Sequence, residues 1–183
     1  MSLGETLPKN IVLVGFMGCG KSTIGRQLAK LLGYPLVDTD HLVEEKAGIP
    51  IARIFAERGE DWFRQLESAV LQELAAPGAP RRIISTGGGV VVRKANRSLL
   101  QRLGYVVWLQ APVATILERT GRNRDRPLLH TDDPKSRIES LLAEREPLYR
   151  EASDLEVETA GLDAEELACG ILESARYHFT GGH

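Results

Sequence analysis

The chain of 183 residues has only two cysteines, Cys19 and Cys169, which form neither a metal-ligand spacing nor a disulfide framework. No apolar run approaches the length that a membrane-spanning helix needs. The amino terminus also lacks a basic segment followed by a long apolar stretch, the pattern of a secretory signal. We therefore expect a cytoplasmic protein without structural disulfides.

Net charge is also small, because 23 basic and 25 acidic residues leave a balance of −2. This balance gives no general reason to expect nucleic acid or an anionic membrane as a partner. The length suits one well-buried domain, so we expect a single domain over residues 1–183, with residues 1–9 disordered. No segment has the pattern of a self-association surface, and we expect a monomer.

Residues 15–22 (GFMGCGKS) fit the pattern G-x-x-x-x-G-K-[ST]. An apolar run at 10–14 precedes this glycine loop, and residues 24–32 have the apolar spacing of a helix. Glycines let consecutive N–H groups point at one anion beside a helix N-terminus. Lys21 would reach the β- and γ-phosphates, and the Ser22 hydroxyl would be a Mg²⁺ ligand. The order of strand, loop and helix predicts a nucleoside triphosphate site; a structural glycine turn is the alternative.

The nucleotide contacts expected from this loop are Gly18, Cys19, Gly20, Lys21, Ser22 and Thr23. Within it, the small Cys19 is interpreted as a filler rather than a nucleophile. Its position at a helix N-terminus could nevertheless lower its pKa and make it open to modification.

Short apolar runs alternate with helical patterns along the chain, which predicts an α/β fold with a parallel sheet covered on both faces. The predicted strands are residues 11–14, 36–38, 82–86, 105–109 and 155–157. The predicted helices are residues 22–32, 41–47, 50–57, 60–75, 97–103, 113–119, 135–151 and 164–177. The segment from 121 to 134 is polar, arginine-rich and unpatterned, and its length suits a mobile loop over a site.

Two carboxylates, Asp38 and Asp40, follow the second predicted strand. Ligands of open α/β sheets bind at the carboxyl ends of the strands, so we expect this pair to face the glycine loop. One carboxylate can orient Mg²⁺ while the other accepts a hydrogen bond or proton from an attacking hydroxyl. The alternative for Asp40 is a cap for the helix that starts at residue 41.

Glycines and arginines supply the other candidate groups. Residues 87–89, three glycines after a strand, favour close backbone approach to a ligand over a plain tight turn. Arg64 lies in a helical stretch, where the pattern alone favours a solvated surface charge. Arg145 could hold a carboxylate substrate in bidentate fashion or pair within its helix with Glu144 or another neighbouring acid. One mobile arginine could stabilise a transferring phosphoryl group, and the candidates are Arg119, Arg122, Arg124 and Arg126.

Several segments together resemble the shikimate kinase family. They are residues 15–23 (GFMGCGKST), 38–40 (DTD), 55–67 (FAERGEDWFRQLE), 85–91 (STGGGVV), 126–129 (RPLL) and 145–150 (REPLYR). The glycine loop is generic among kinases, whereas the third segment, the triple glycine and RPLL are more specific. The resemblance implies a three-layer P-loop kinase fold whose parallel sheet has five strands in the order 2-3-1-4-5. It also implies a shikimate-binding segment at about 38–67 and a mobile lid at about 121–135.

The resemblance further implies transfer of the ATP γ-phosphate to the 3-hydroxyl of shikimate, a step of aromatic amino-acid biosynthesis. Arg64 and Arg145 would hold the shikimate carboxylate, and Asp40 would be the candidate base. The hydroxyls would be held by Asp40 together with Gly87, Gly88 and Gly89.

On the nucleotide side, the same resemblance implies that Lys21 binds phosphates and that Ser22 and Asp38 hold Mg²⁺. Arg126 would close over the transferring phosphoryl group, and Arg119 would lie against adenine. Many relatives have a proline near the start of the last helix, where this chain has Asp163-Ala164, and this departure leaves the adenine pocket open.

Two alternatives to this reading remain. One is another small-metabolite P-loop kinase, acting on gluconate or a nucleoside monophosphate, because gluconate also has a carboxylate and hydroxyls. The other is a non-catalytic nucleotide-binding module, against which the retention of Lys21, Asp40 and Arg126 argues.

Overall fold

The computed structural model describes residues 9–121 and 131–181. The strands within these ranges are β1 (Asn10–Val14), β2 (Leu36–Asp38), β3 (Arg82–Ser85), β4 (Tyr105–Gln110) and β5 (Leu155–Glu158). The helices are α1 (Lys21–Leu32), α2 (Thr39–Ala47), α3 (Ile51–Arg58), α4 (Glu60–Leu74), α5 (Lys94–Leu103), α6 (Val113–Thr120), α7 (Pro134–Ala152) and α8 (Ala164–Phe179). Most of the predicted lid, and residues 1–8 of the segment expected to be disordered, lie outside the described residues.

The five strands form one parallel sheet in the order β2-β3-β1-β4-β5, which confirms the predicted order. β1 is central, and Ile11 lies opposite Ile83 of β3 on one side and Tyr105 of β4 on the other. All five residues of β1 are buried, as expected for a strand covered on both faces. The carboxyl ends of β2, β3 and β1 therefore lie side by side along one edge of the sheet.

Each face of the sheet has its own apolar core, because successive residues of a strand point to opposite faces. Val12 and Val14 belong to a cluster with residues of α2, α3, α4 and α5. Ile11 and Leu13 belong to a second cluster, with residues of α1, α6 and α8. Helix α7 contributes to both clusters, through its first half to the second and through its last turns to the first. This arrangement confirms the three-layer fold.

Helix starts are the least accurate part of the sequence prediction. α2 begins at Thr39 rather than at residue 41, because the Asp38 carboxylate accepts hydrogen bonds from the N–H groups of Asp40 (2.9 Å) and His41 (3.3 Å). The cap that the sequence suggested for Asp40 thus belongs to Asp38. α5 likewise begins three residues before its predicted start, at Lys94. None of the helices in the described ranges is long and apolar enough to cross a membrane.

Asn10 joins three elements at the start of β1. Its Nδ2 donates to the Leu103 carbonyl at the end of α5 (2.6 Å), and its Oδ1 accepts from the Arg82 N–H of β3 (2.9 Å). Asn10 is buried, so the Leu103 carbonyl and the Arg82 N–H would not readily bond to water if the Asn10 side chain were removed.

We therefore expect Asn10→Ala to lower the free energy of unfolding by about 1–3 kcal/mol, the cost of an unsatisfied buried polar group. Asn10→Asp should cost at least as much, because a carboxylate oxygen would then face the Leu103 carbonyl oxygen. Urea denaturation measures both. Wild-type stability in Asn10→Ala would contradict this bridging role.

Candidate active site

The glycine loop connects β1 to α1 and curls around its own lysine. Lys21 Nζ donates to the carbonyl oxygens of Gly15 (2.6 Å) and Phe16 (2.8 Å). A side chain at Gly15 would collide with the Leu109 carbonyl oxygen of the neighbouring β4, so this position has no room for a Cβ. The lysine ammonium is thus held at the loop beside the N-terminus of α1, where an anion is favoured.

A cavity of about 450 Å³ opens over this loop. Part of its lining is the loop and the start of α1, namely Met17, Gly18, Gly20, Lys21, Ser22, Thr23 and Ile24. The carboxyl ends of β2 and β3 add Asp38, Asp40, Ser85, Thr86 and Gly88. The far side is formed by Arg119, Thr159, Leu162, Ala164 and Leu167. The structure therefore brings the predicted phosphate loop and the predicted carboxylates to one cavity.

Cys19 is buried beneath the loop and does not line this cavity. Burial raises the pKa of its thiol, and the nearby Lys21 offsets only part of that rise. The suggestion that the helix N-terminus lowers this pKa is therefore wrong, whereas the interpretation as a filler agrees with the burial. Thr159, which the sequence analysis missed, donates to the Cys19 carbonyl (2.9 Å) and to the Gln110 carbonyl (3.0 Å).

The far side of the cavity is formed by the last turn of α6 and the first turn of α8. Arg119 Nη1 donates to the Gly18 carbonyl oxygen (2.8 Å), which holds the arginine across the loop. Asp163 caps α8 by accepting from the N–H groups of Glu165 (2.9 Å) and Glu166 (3.1 Å). Ala164 therefore occupies the first helical position, a site that also suits proline, and the departure from the family pattern leaves the helix start intact.

The three consecutive glycines form a turn after β3, residues 87–90, which we call the triple-glycine turn. A Cβ at Gly87 would lie 2.5 Å from Asp40 Oδ1, and a Cβ at Gly89 would lie 2.6 Å from Arg64 Nη1. A Cβ at Gly88 would lie 3.5 Å from the Met17 nitrogen of the glycine loop. Close approach, rather than turn geometry alone, accounts for glycine at the first and third of these positions.

Arg64 lies on α4 with only 5% of its surface exposed, so the surface charge favoured by pattern alone is wrong. Its Nη1 donates to Glu67 Oε2 (2.9 Å) and its Nη2 to Glu60 Oε1 (3.1 Å). Burial alone would lower the pKa of Arg64, but attraction and hydrogen bonding from the two glutamates outweigh it and raise that pKa. The guanidinium remains charged and is aimed at the triple-glycine turn.

Glu67 was not singled out by the sequence analysis. It is buried, and within residues 9–121 and 131–181 its Oε1 has no hydrogen-bond partner. Burial raises the pKa of its carboxyl, which Arg64 offsets only in part. Glu67 follows Arg64 by three residues on one helix, and this spacing could have indicated an ion pair between the two side chains.

Arg145 approaches the triple-glycine turn from α7 and is 4% exposed. Its guanidinium carbon lies 5.8 Å from the centroid of the Phe16 ring, and its Nη1 would lie 3.8 Å from a Cβ at Gly88. Among the described residues it forms no ion pair with Glu144, and its Nε has no hydrogen-bond partner. The site thus holds a second buried guanidinium with unused donor capacity. Arg122, Arg124 and Arg126 lie outside the described residues.

A sequence model of the shikimate kinase family matches residues 17–176. The chain belongs to the shikimate kinase family. A shikimate kinase from Halorhodospira halophila is 49% identical over 167 residues, which cover 91% of this chain and 93% of that protein. A solved shikimate kinase from Acinetobacter baumannii, in complex with shikimate, has a TM-score of 0.86 and 46% identity, covering 92% of this chain and 93% of that one. These likenesses confirm the predicted family and make the chain a kinase that phosphorylates a hydroxyl group.

The P-loop fold itself extends beyond this family. A gluconokinase from Sinorhizobium meliloti has a TM-score of 0.55 at 19% identity, covering 95% of this chain and 97% of that one. This likeness shows the fold alone, so the comparisons favour the shikimate kinase reading over a gluconate kinase.

The two glutamates that bind Arg64 offer a matched pair of substitutions. The Glu67 side chain is 1% exposed, whereas that of Glu60 is 57% exposed. Glu67→Ala leaves a buried cation without its buried partner and should lower the free energy of unfolding by about 3–5 kcal/mol. Glu60→Ala should cost about 0–1 kcal/mol, as exposed ion pairs do. Chemical denaturation at pH 7 measures the loss of stability in both variants. Equal losses would contradict the conclusion that Glu67 is the partner on which the buried Arg64 charge depends.

Proposed function

We propose that the chain transfers the γ-phosphoryl group of ATP to the 3-hydroxyl of shikimate, giving shikimate 3-phosphate and ADP. One observation carries this proposal beyond the family: two buried arginines and Asp40 converge on a triple-glycine turn that lies next to the glycine loop. A small anionic polyol placed at the turn would have its hydroxyls beside the nucleotide site.

The acceptor would be held by charge at one end and by hydrogen bonds at the other. The Arg145 guanidinium, with its unpartnered Nε in the described part of the chain, can donate to a carboxylate, and Arg64 can add a second cation. Asp40 accepts hydrogen bonds from hydroxyls, and backbone groups of Gly87 and Gly88 can approach them without side chains in the way. Such charge-assisted contacts fix the acceptor's orientation as well as its affinity.

The donor would lie in the cavity over the glycine loop. Lys21, already folded onto the loop, would pair with the phosphates, and the N–H groups at the start of α1 would surround them. Arg119, which donates to the Gly18 carbonyl, is proposed to lie against adenine. Arg126 is proposed to close over the transferring group, but it lies outside the described residues.

The oxygen atoms that line this cavity suit Mg²⁺ as ligands. The Ser22 hydroxyl and the Asp38 carboxylate both line it, and within the described ranges no cluster of three or more His, Cys, Asp or Glu could form a protein-only cage. Mg²⁺ is usually bound in this way, through one or two protein oxygens with phosphates and water. When bound, the ion would neutralise charge on the phosphate oxygens. Asp38 also caps α2, so its orientation is held by that helix.

Asp40 would receive or orient the proton of the attacking hydroxyl. It stands in the first turn of α2, beside Gly87 and on the cavity wall. In a loose phosphoryl-transfer transition state, positioning and electrostatic stabilisation supply most of the catalysis, and the proton leaves late. Asp40 therefore need not be strongly basic.

We also propose roles for two mobile segments of the chain. The segment 38–67, which comprises α2, α3 and the start of α4, would bind shikimate, since it contributes Asp40 and Arg64. The segment 121–135 would act as the lid, although residues 122–130 of it lie outside the described residues. We propose one domain for the chain, acting as a monomer.

An ADP-release assay with separate acceptors tests the proposed activity. We expect turnover with shikimate and none above background with gluconate or nucleoside monophosphates. Preferential turnover of gluconate would favour the metabolite-kinase alternative, and ATP binding without turnover of any acceptor would favour a non-catalytic module.

Asp40→Asn should lower kcat by about 10²-fold or more, because it removes the group that accepts the hydroxyl proton. The KM for ATP should change little, because the proposed nucleotide contacts lie on the other elements. Asp61→Asn, an exposed acid at the start of α4, serves as the control. Near-normal turnover in Asp40→Asn would show that Asp40 neither receives nor orients the proton of the attacking hydroxyl.

Arg64→Ala should act mainly on the acceptor. Loss of a buried charge-assisted contact costs on the order of 2–5 kcal/mol, and we expect it as a raised KM for shikimate with the KM for ATP unchanged. Arg53→Ala removes an exposed helical arginine and should leave both constants unchanged. Unaltered shikimate affinity in a folded Arg64→Ala variant would show the carboxylate assignment to be wrong.

A further inference from the structure

Side chains from three separate elements bond to the backbone of the triple-glycine turn. The Gly87 N–H donates to Thr39 Oγ1 of α2 (3.1 Å), and Asn96 Nδ2 of α5 donates to the Val90 carbonyl (3.1 Å). The Tyr149 hydroxyl of α7 donates to the Gly88 carbonyl. Three glycines in sequence have little conformational preference of their own, so these bonds set the path of the turn.

The bond from Tyr149 reaches the middle of the turn from a fully buried ring. This ring stacks on Trp108 of β4, with centroids 5.6 Å apart and planes 24° apart. Burial raises the pKa of Tyr149, an effect that Arg145 offsets only in part, so the hydroxyl keeps its proton and acts as a donor. A fixed ring with a fixed donor determines where the Gly88 carbonyl points.

The direction of that carbonyl determines what the turn offers to a ligand. The peptide bond is planar and trans, so the Gly89 N–H points away from the Gly88 carbonyl. Without the Tyr149 bond, rotation of the peptide between these two glycines would meet no Cβ and would redirect both groups. Asn96 and Thr39 hold only the ends of the turn.

We propose that Tyr149 is a positioning residue for the acceptor, locking the Gly88–Gly89 peptide in the orientation that receives the substrate hydroxyls. The inference rests on the proposed function, because it assigns the acceptor to this turn. Tyr149 and Arg145 lie four residues apart on α7, so one helix supplies both a cation for the acceptor and the lock on the turn.

Tyr149→Phe tests the proposal, because it removes one hydroxyl and keeps the ring that stacks on Trp108. Tyr105→Phe is the matched control: it also removes a tyrosine hydroxyl bond, to Ser174 Oγ (2.8 Å), on the far side of the protein from the turn. We expect Tyr149→Phe to raise the KM for shikimate about 5- to 10-fold, the effect of about one buried hydrogen bond. The KM for ATP should stay within about twofold of wild type, and Tyr105→Phe should change neither constant.

Amide hydrogen exchange of the ligand-free protein tests the lock without relying on activity. The Gly87, Val90 and Val92 N–H groups, which donate to Thr39 Oγ1 and to the Gly87 and Gly89 carbonyls, should exchange faster in Tyr149→Phe than in wild type or Tyr105→Phe. Unchanged exchange overturns the inference, and so does faster exchange with an unchanged KM for shikimate. If wild type is inactive on shikimate, the proposed function fails, and the exchange result alone then decides whether Tyr149 locks the turn.

Discussion

The site depends on two backbone segments that lie side by side, the glycine loop after β1 and the triple-glycine turn after β3. These strands are neighbours in a parallel sheet, so the segments that follow them emerge at the same edge. A Cβ added at Gly88 would lie 3.5 Å from the Met17 nitrogen and 3.6 Å from the Gly15 oxygen, so the space between the two segments there is about the size of one methyl group. A phosphate held by the loop would then lie beside a hydroxyl held by the turn, as in-line transfer requires.

An anionic acceptor at the turn needs positive charges nearby, and the fold supplies them from buried positions. Arg64 comes from α4 and Arg145 from α7, on different elements that reach the same turn. Burying a cation is costly unless it is paired. Glu67 compensates Arg64, whereas Arg145 lies against the Phe16 ring and has a donor without a partner among the described residues. The unequal compensation is consistent with Arg145 being the cation that gains most from a bound carboxylate.

The sequence predicted those features of the site that depend on residues adjacent in the chain. The strand order came with the family resemblance, and the glycine loop and the position of Asp40 followed from motif and strand end. The sequence analysis predicted Arg64 to be exposed on the surface. The periodicity of a helix does not show that its polar face packs against a turn that is distant in sequence. The sequence analysis missed Tyr149 and Thr159 because their partners, Gly88 and Cys19, are 61 and 140 residues away along the chain. It started α2 two residues too late, and the cap that it gave as the alternative role of Asp40 is formed by Asp38, because the two aspartates are equally good caps by composition.

The short distance between loop and turn also bears on how the two substrates can influence each other. A ligand that moves Gly88 moves a residue beside Met17, and can therefore act on the loop that is proposed to hold the phosphates. Any such effect on affinity must be reciprocal, because the coupling free energy is shared by the two sites. Tyr149 lies on α7, a helix that packs into both cores, and its bond to the Gly88 carbonyl would oppose that movement.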